Sequence, residues 1–157
     1  MIYKPKLKID TFTEWISGCC ILVKISVIKE VGLLDNHFFA YFEDVDWSIR
    51  MKSQGYKLGV VPSSIIYHHS SGSTKKNNTS SEGNLSPYVH YLNVRNHIYL
   101  INKHAFIFNS IGSWGYQVLK ITSYSIYFIL RGRFQKFKMV WRGVLDGIKI
   151  KNIKNIV

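Results

Sequence analysis

Hydrophobic and polar positions recur with changing periods along the chain, and these periods predict a series of short elements. Residues 13–23 are largely apolar, which predicts a buried strand, and the glycine within it, Gly18, predicts a bulge or a close approach to the backbone. Apolar residues at helical spacing then predict a helix over 25–31, ended by Gly32. The aromatic run over 38–42 is interpreted as a further strand.

The second part of the pattern is predominantly helical. In chain order, the remaining predicted elements are a helix from about Glu43 to Gly55, a strand over 56–61 broken by Pro62, extended residues at 65–67, a loop over 70–86, a helix from Pro87, and one or two amphipathic helices over 114–142.

Length and composition describe an ordinary globular chain. Its 157 residues are 46% apolar and 15% aromatic, which suffices for a hydrophobic core and excludes a disordered or fibrous protein. Cys19 and Cys20 are adjacent, so an intrachain disulfide between them is implausible, and we expect two small buried residues in a reducing cytosol. Residues 1–10 interleave charges where a signal peptide would be apolar, and no run of about 18 apolar residues occurs, so we expect a cytoplasmic chain.

Positive charge is concentrated in the C-terminal third. The net charge is +12, and residues 95–157 hold eleven of the 21 Lys and Arg residues against one acid, Asp146. Such a segment attracts polyanions, which include an anionic membrane surface, nucleic acid and a phosphorylated substrate. Composition does not choose among them.

Three acids, Glu43, Asp44 and Asp46, lie where the aromatic run meets the predicted helix. Acids at this position commonly cap a helix and interact with its dipole. Alternatively, Asp44 and Asp46 form a D-x-D pair that binds a divalent ion and a diphosphate. In a third interpretation, Asp44 is a general base that removes a proton from an attacking hydroxyl. Spacing alone leaves all three open.

His68 follows the extended residues 65–67 and precedes the polar loop. An isolated histidine is commonly a surface or packing residue, although a neutral imidazole at a strand end also suits a metal ion. His69 would point to the opposite side of a strand, so at most one of the two would bind a given ion.

A set of residues in fixed order resembles the second half of the bacterial family-2 glycosyltransferases of the rhamnosyltransferase-like branch. In chain order, the set comprises Trp15 to Gly18, Val31 to Asp35, Phe38 and Phe39, Tyr41 to Asp46, Arg50, Gly55 and Tyr56, Pro62, His68, and Ser73 and Thr74. The resemblance covers about residues 11–110. It implies an α/β fold, namely the acceptor-side part of a GT-A, Rossmann-like domain over 1–110, followed by a basic amphipathic helical tail over 111–157.

The resemblance also implies roles for individual residues. Asp44 corresponds to the catalytic base of the family's Glu-Asp motif, with Glu43 beside it, and this argues against the D-x-D interpretation. Trp15 and Gly18 correspond to a segment that lines the acceptor site, to which we also assign Asp46. His68 corresponds to a histidine that helps to hold the metal ion in some relatives.

The activity implied is transfer of a sugar, with inversion, from a nucleotide-sugar donor to a glycan or lipid-linked acceptor. The divalent metal, Mg²⁺ or Mn²⁺, and the donor belong to a half of the family's domain for which this chain offers no matching residues. We therefore expect the chain to be inactive alone and to need a donor-binding part, for example from a separate chain. The competing interpretation is a basic module without catalysis, for which we favour an anionic membrane over nucleic acid because cations and aromatics interleave in residues 131–142. The two interpretations can hold together, as an enzyme domain with a membrane-facing tail, and we expect a peripheral position on the inner face of the cell membrane.

Overall fold

A computed structural model of the chain describes residues 11–68 and 85–150. These residues belong to two compact units, Met1–Ser70 and Ser71–Val157, called here the N-terminal and C-terminal units. The functional division predicted after residue 110 remains a prediction. Residues 1–10, most of the predicted loop at 70–86 and His69 lie outside the described residues.

The N-terminal unit combines two short strands with two helices. Its elements are β1 (Thr11–Thr13), α1 (Ile25–Val31), α2 (Glu43–Ser53) and β2 (Leu58–Val60). The strands pair antiparallel, with Thr11 opposite Val60 and Thr13 opposite Leu58.

Both helices predicted in this unit are confirmed, and glycines follow each of them. Gly32 has a φ of 86° and its N–H donates to the carbonyl of Ile28 at 2.8 Å, which closes the last turn of α1. Gly55 has a φ of 85°, just beyond the end of α2. Glycine adopts this left-handed conformation without the steric strain that a side chain would add, so the sequence located both ends well.

The strand predicted over 13–23 is wrong beyond Thr13. The reason is that the N–H groups of Ile16 and Gly18 donate to side chains of α2 and not to a neighbouring strand. The segment that follows lies in turns and irregular backbone, and Cys19 and Cys20 are both exposed, which corrects the expectation that they are buried.

The strand interpretation of residues 38–42 is also wrong. Phe39, Tyr41 and Phe42 have φ values of 60°, 69° and 72°, which no strand permits. Only Phe38 at the start of this run is fully buried, and it belongs to the apolar core of the unit. The run is therefore a compact turn that leads directly into α2.

The C-terminal unit is a set of three helices, α3 (Pro87–Lys103), α4 (Ser110–Leu130) and α5 (Phe134–Lys149), as the helical pattern predicted. Pro87 occupies the first turn of α3, where its missing N–H loses no helical bond. The Asn109 side chain caps α4 by accepting from the N–H of Gly112 at 3.0 Å. Gly132, with a φ of 64°, separates α4 from α5.

The core of this unit is built from Val94, Ile98, Phe128 and Val140. Helix α5 approaches α3 closely at two glycines. A Cβ atom at Gly143 would lie 2.7 Å from the Tyr91 carbonyl oxygen, and one at Gly147 would lie 2.9 Å from that of Arg95. The spacing of four residues between these glycines places both on the face of α5 that contacts α3.

The described residues are thus mostly helical with one two-stranded sheet. This composition is compatible with the predicted α/β class, and the GT-A arrangement remains a prediction. Within residues 11–68 and 85–150, no helix has the length and apolar character needed to cross a membrane.

Candidate functional site at the start of helix α2

One side of α2 binds the segment at residues 14–18. Three α2 residues spaced four apart contact alternate residues of the segment in reverse order. The contacts are Gly18 N–H to Asp44 Oδ2 at 2.7 Å, Ile16 N–H to Ser48 Oγ at 3.2 Å, and Lys52 Nζ to Glu14. Four helical residues rise about 6 Å and two extended residues about 6.6 Å, so the two repeats match and the segment lies antiparallel to the helix.

Asp44 is held by two backbone groups. Its Oδ2 accepts from Gly18 N–H, and its Oδ1 accepts from Val45 N–H at 2.8 Å. The predicted approach of another group to the Gly18 backbone is made by the Asp44 carboxylate, through the 2.7 Å hydrogen bond, and a Cβ atom at Gly18 would meet the Asp44 Cβ at an ordinary 3.4 Å. The carboxylate is only partly buried, so it is oriented by the protein and still open to a small molecule.

Glu43, the first residue of α2, lies in a different environment. Its Oε2 is enclosed, and no donor among the described residues hydrogen-bonds to it. Burial of the carboxyl raises its pKa above the ordinary 4.5, a hydrogen bond with its own backbone opposes the rise, and the charge of Asp44 adds to it. The two neighbouring acids therefore differ: Asp44 is fixed by donors, while Glu43 is shifted towards its protonated form.

The turn before α2 places both acids at the cost of backbone strain. Phe39, Tyr41 and Phe42 all lie in the left-handed region, where a residue with a side chain costs of order 1 kcal/mol or more. The helix begins directly afterwards, with Asp46 N–H donating to the Phe42 carbonyl at 2.9 Å. Strain of this kind persists only where the surrounding structure imposes it, and it is concentrated at functional sites in proteins.

Asp46 and Arg50 link α2 to the end of α1. Asp46 is 0% exposed, and its Oδ2 accepts from Arg50 Nε at 2.9 Å. The two other Arg50 nitrogens donate to the carbonyls of Val31 and Leu33, each at 2.7 Å, and Trp47 Nε1 donates to that of Gly32 at 2.9 Å. These carbonyls at and beyond the last turn of α1 need partners from outside that helix.

Asp46 is thus ion-paired with Arg50, and the acceptor contact predicted for Asp46 remains a prediction. Neither the Arg50 link nor the role of Ser48 was identified from the sequence. The available signal was the four-residue spacing of Asp44, Ser48 and Lys52 and of Asp46 and Arg50, which places each set on one side of a helix.

Trp15 and His68 are both exposed. Trp15 is 50% exposed within the segment bound by α2, and its carbonyl accepts from the Thr13 hydroxyl at 3.1 Å. His68 lies at the end of the described part of the N-terminal unit. Among residues 11–68 and 85–150, no three His, Cys, Asp or Glu side chains gather to hold a metal ion, so these residues do not by themselves form the expected metal site.

Comparison with known proteins indicates a relationship between part of this chain and the glycosyltransferases. The chain is 42% identical over 50 residues to the N-acetylglucosaminyl-diphospho-decaprenol L-rhamnosyltransferase of Mycobacterium tuberculosis, in strains CDC 1551 / Oshkosh and ATCC 25618 / H37Rv. This match covers 32% of the chain and 16% of the relative. It is 34% identical over 62 residues to Rhamnosyltransferase WbbL of Escherichia coli (strain K12), covering 40% of the chain and 24% of the relative.

The chain therefore spans only about a sixth to a quarter of the length of these curated relatives. No protein-family model matches it, and no solved structure matches it.

Proposed function

We propose that the N-terminal unit supplies the acceptor side of an inverting glycosyltransferase, with Asp44 as the general base. The observation that carries this proposal is the orientation of the Asp44 carboxylate by the N–H groups of Gly18 and Val45. The similarity to rhamnosyltransferases supports sugar transfer as the reaction class.

In the proposed reaction, an acceptor hydroxyl attacks the anomeric carbon of the sugar while the nucleoside diphosphate leaves from the opposite face. The new C–O bond forms as the bond to the diphosphate breaks, the hydroxyl proton passes to Asp44, and the configuration inverts. A carboxylate has about four acceptor positions, and the two backbone hydrogen bonds use one on each oxygen, so each oxygen retains a position for the proton. A general base of this kind contributes roughly 10²- to 10⁴-fold to the rate.

We propose further that donor binding requires residues other than those described. Several large apolar side chains of the N-terminal unit are exposed, including Leu22, Ile25, Leu33 and Phe39, which suits a surface covered by another part of the enzyme. That part, in the same polypeptide or in a separate chain, would bind the nucleotide sugar. It would also supply most of the ligands of the Mg²⁺ or Mn²⁺ ion, and His68 would supply one more.

The first test is donor binding by this chain alone. Calorimetric titration with uridine and thymidine diphosphate sugars, with Mg²⁺ or Mn²⁺ present, is expected to give no micromolar binding. Micromolar binding would refute the proposal that donor recognition lies elsewhere.

The second test replaces the aspartate equivalent to Asp44 with asparagine in a complete homologous rhamnosyltransferase. Transfer should fall by at least about 10²-fold while donor binding is retained, because only the base is lost. An asparagine has one acceptor oxygen for two N–H donors, so stability should also fall by about 1–2 kcal/mol, and a thermal melt of the variant controls for unfolding. Retained turnover in a folded variant would exclude Asp44 as the base.

A second candidate function, attachment to an anionic membrane, is supported by the surface of α5. Its large exposed apolar residues share one face, because they are spaced seven, four and three residues apart: Phe134, Trp141, Leu145 and Ile148. Lys138 and Arg142 lie beside this face. An apolar face flanked by cations suits a membrane interface, and a peripheral enzyme on the inner face of the cell membrane could reach a lipid-linked acceptor.

Sedimentation with vesicles tests this second proposal. The chain should sediment with vesicles that contain phosphatidylglycerol and not with neutral ones, and Trp141→Ser should weaken the binding. Tight binding to duplex DNA with no binding to vesicles would favour the nucleic-acid alternative instead.

A further inference from the structure

A cavity in the C-terminal unit lies outside the site at α2. It has a volume of about 480 Å³ and is bounded by α3, α4 and the start of α5. The residues that line it are Leu85, His90, Tyr124, Tyr127, Phe128, Arg133 and Lys136. Its size falls in the range of small-molecule sites, and its wall combines aromatic rings with cations.

Arg133 and Lys136 supply the positive charge. The Arg133 guanidinium lies over the Tyr127 ring, 5.6 Å from its centroid, and donates to the Tyr127 hydroxyl at 3.3 Å. No carboxylate within residues 11–68 and 85–150 pairs with Arg133, so most of its five donors remain available. Lys136 is only 3% exposed, with its Nζ 5.8 Å from the centroid of the Phe128 ring. Two cations thus line one cavity, and the planar guanidinium of Arg133 in particular suits an anionic ligand.

His90 also lines this cavity. Its ring packs edge-on against Phe128 and Tyr124, at centroid distances of 4.9 and 5.6 Å. Burial and, after it, the charges of Lys136, Arg133 and Lys120 together lower its pKa from 6.5 to about 4. The imidazole is therefore neutral at pH 7.

We propose that this cavity binds a phosphate group, as a phosphomonoester or a diphosphate. The Arg133 fork would bind two phosphate oxygens, since its geometry matches such an anion, and the Lys136 ammonium would add a third charged contact. The rings of Tyr124 and Tyr127 would contact the organic part of the ligand. This site is independent of the proposed transfer reaction, because it shares no residue with the site at α2.

The test compares Arg133→Gln with Arg131→Gln. Both substitutions remove one guanidinium from the junction of α4 and α5, but Arg131 is exposed and does not line the cavity. One arm titrates the chain with inorganic diphosphate, and the other measures sedimentation with phosphatidylcholine vesicles with and without phosphatidic acid. Arg133→Gln should weaken diphosphate binding about tenfold, as expected for a lost charge-assisted contact, and Arg131→Gln by less than about twofold.

Arg133-dependent binding in the first arm alone identifies a soluble phosphate ligand. Arg133-dependent binding in the vesicle arm alone identifies a lipid headgroup, because attachment through the apolar face of α5 does not require the cavity. Equal losses in the two variants, or no binding in either arm, would overturn the proposal. Arg133→Lys, which keeps the charge without the fork, gives an intermediate loss and serves as the second variant if Arg133→Gln is unfolded by circular dichroism.

Proton NMR of the His90 imidazole locates the ligand independently. A bound anion stabilises the imidazolium, so diphosphate should raise the pKa of His90 from about 4. Diphosphate binding without any change in the His90 titration would mean that the ligand lies elsewhere, which also overturns the proposal.

Discussion

Replacing Gly143 with alanine would place a methyl group 2.7 Å from the carbonyl oxygen of Tyr91 and 3.2 Å from the Cβ of Val94. The clash is with the backbone of α3, so no side-chain rotation relieves it, and the two helices must separate by about 0.7 Å to restore van der Waals contact. Such overpacking costs about 1–3 kcal/mol, against a gain of up to about 1 kcal/mol from the higher helix propensity of alanine. The net expectation is a loss of about 1–2 kcal/mol in the free energy of unfolding.

Gly115→Ala in α4 is the matched control. This glycine is also helical, but an added Cβ would meet no atom within 4 Å, so only the propensity gain applies and stability should rise by about 0.5–1 kcal/mol. The same substitution is thus expected to lower the free energy of unfolding in one helix and to raise it in another helix of the same unit. Urea denaturation followed by circular dichroism at 222 nm measures both values.

Gly147→Ala provides the second half of a double-mutant cycle. Its Cβ would lie 2.9 Å from the Arg95 carbonyl oxygen, one turn along the same interface. Separation of α3 from α5 relieves both clashes together, so the cost of the double variant should be less than the sum of the single costs. A Gly143→Ala protein as stable as Gly115→Ala would refute the close approach of α5 to α3.

Three further predictions concern individual side chains. Arg50→Lys should destabilise the N-terminal unit by about 2–4 kcal/mol, because lysine cannot replace a guanidinium bonded to a buried carboxylate and two carbonyls. The control, Arg142→Lys at an exposed ion pair, should cost less than about 0.5 kcal/mol, and urea denaturation measures both values. The pKa of Glu43 is raised in the folded chain, so the folded state binds more protons than the unfolded state, and stability should fall as pH rises from 4.5 through the raised pKa. Glu43→Gln should remove that fall. An unchanged dependence of stability on pH in this variant would contradict the prediction. The pKa of His90 is lowered to about 4, so its contribution to the free energy of unfolding is complete above pH 6.5 and is lost as pH falls towards 4. His90→Phe should flatten the dependence of stability on pH in thermal melts between pH 4 and 7.

Helices could be predicted from the sequence because their signals are local. Period and terminal glycines located α1 and α2, and the break between α4 and α5 falls at a glycine with a positive φ. The strand over 13–23 was wrong because strand formation depends on a distant partner. In this chain, α2 side chains take the N–H groups of Ile16 and Gly18 that a strand would have used.

The site was only partly predictable for the same reason. The resemblance singled out Asp44, and the glycine pattern indicated a close approach at Gly18 without identifying what approaches it. The enclosure of Glu43 and the link from Arg50 to the end of α1 depend on packing between segments far apart in the chain. Patterns of single residues carry little information about such contacts.

The way in which α2 binds the segment at 14–18 has a consequence for how such an enzyme could diversify. At Ile16 and Gly18 the helix accepts hydrogen bonds from main-chain N–H groups, which every residue except proline provides. The exposed Trp15 can therefore be exchanged without disturbing the bonds that orient Asp44, and a Cβ atom added at Gly18 would meet Asp44 only at ordinary van der Waals distance. In the proposed enzyme, preference among acceptors could then change by substitution at Trp15 while the base keeps its position.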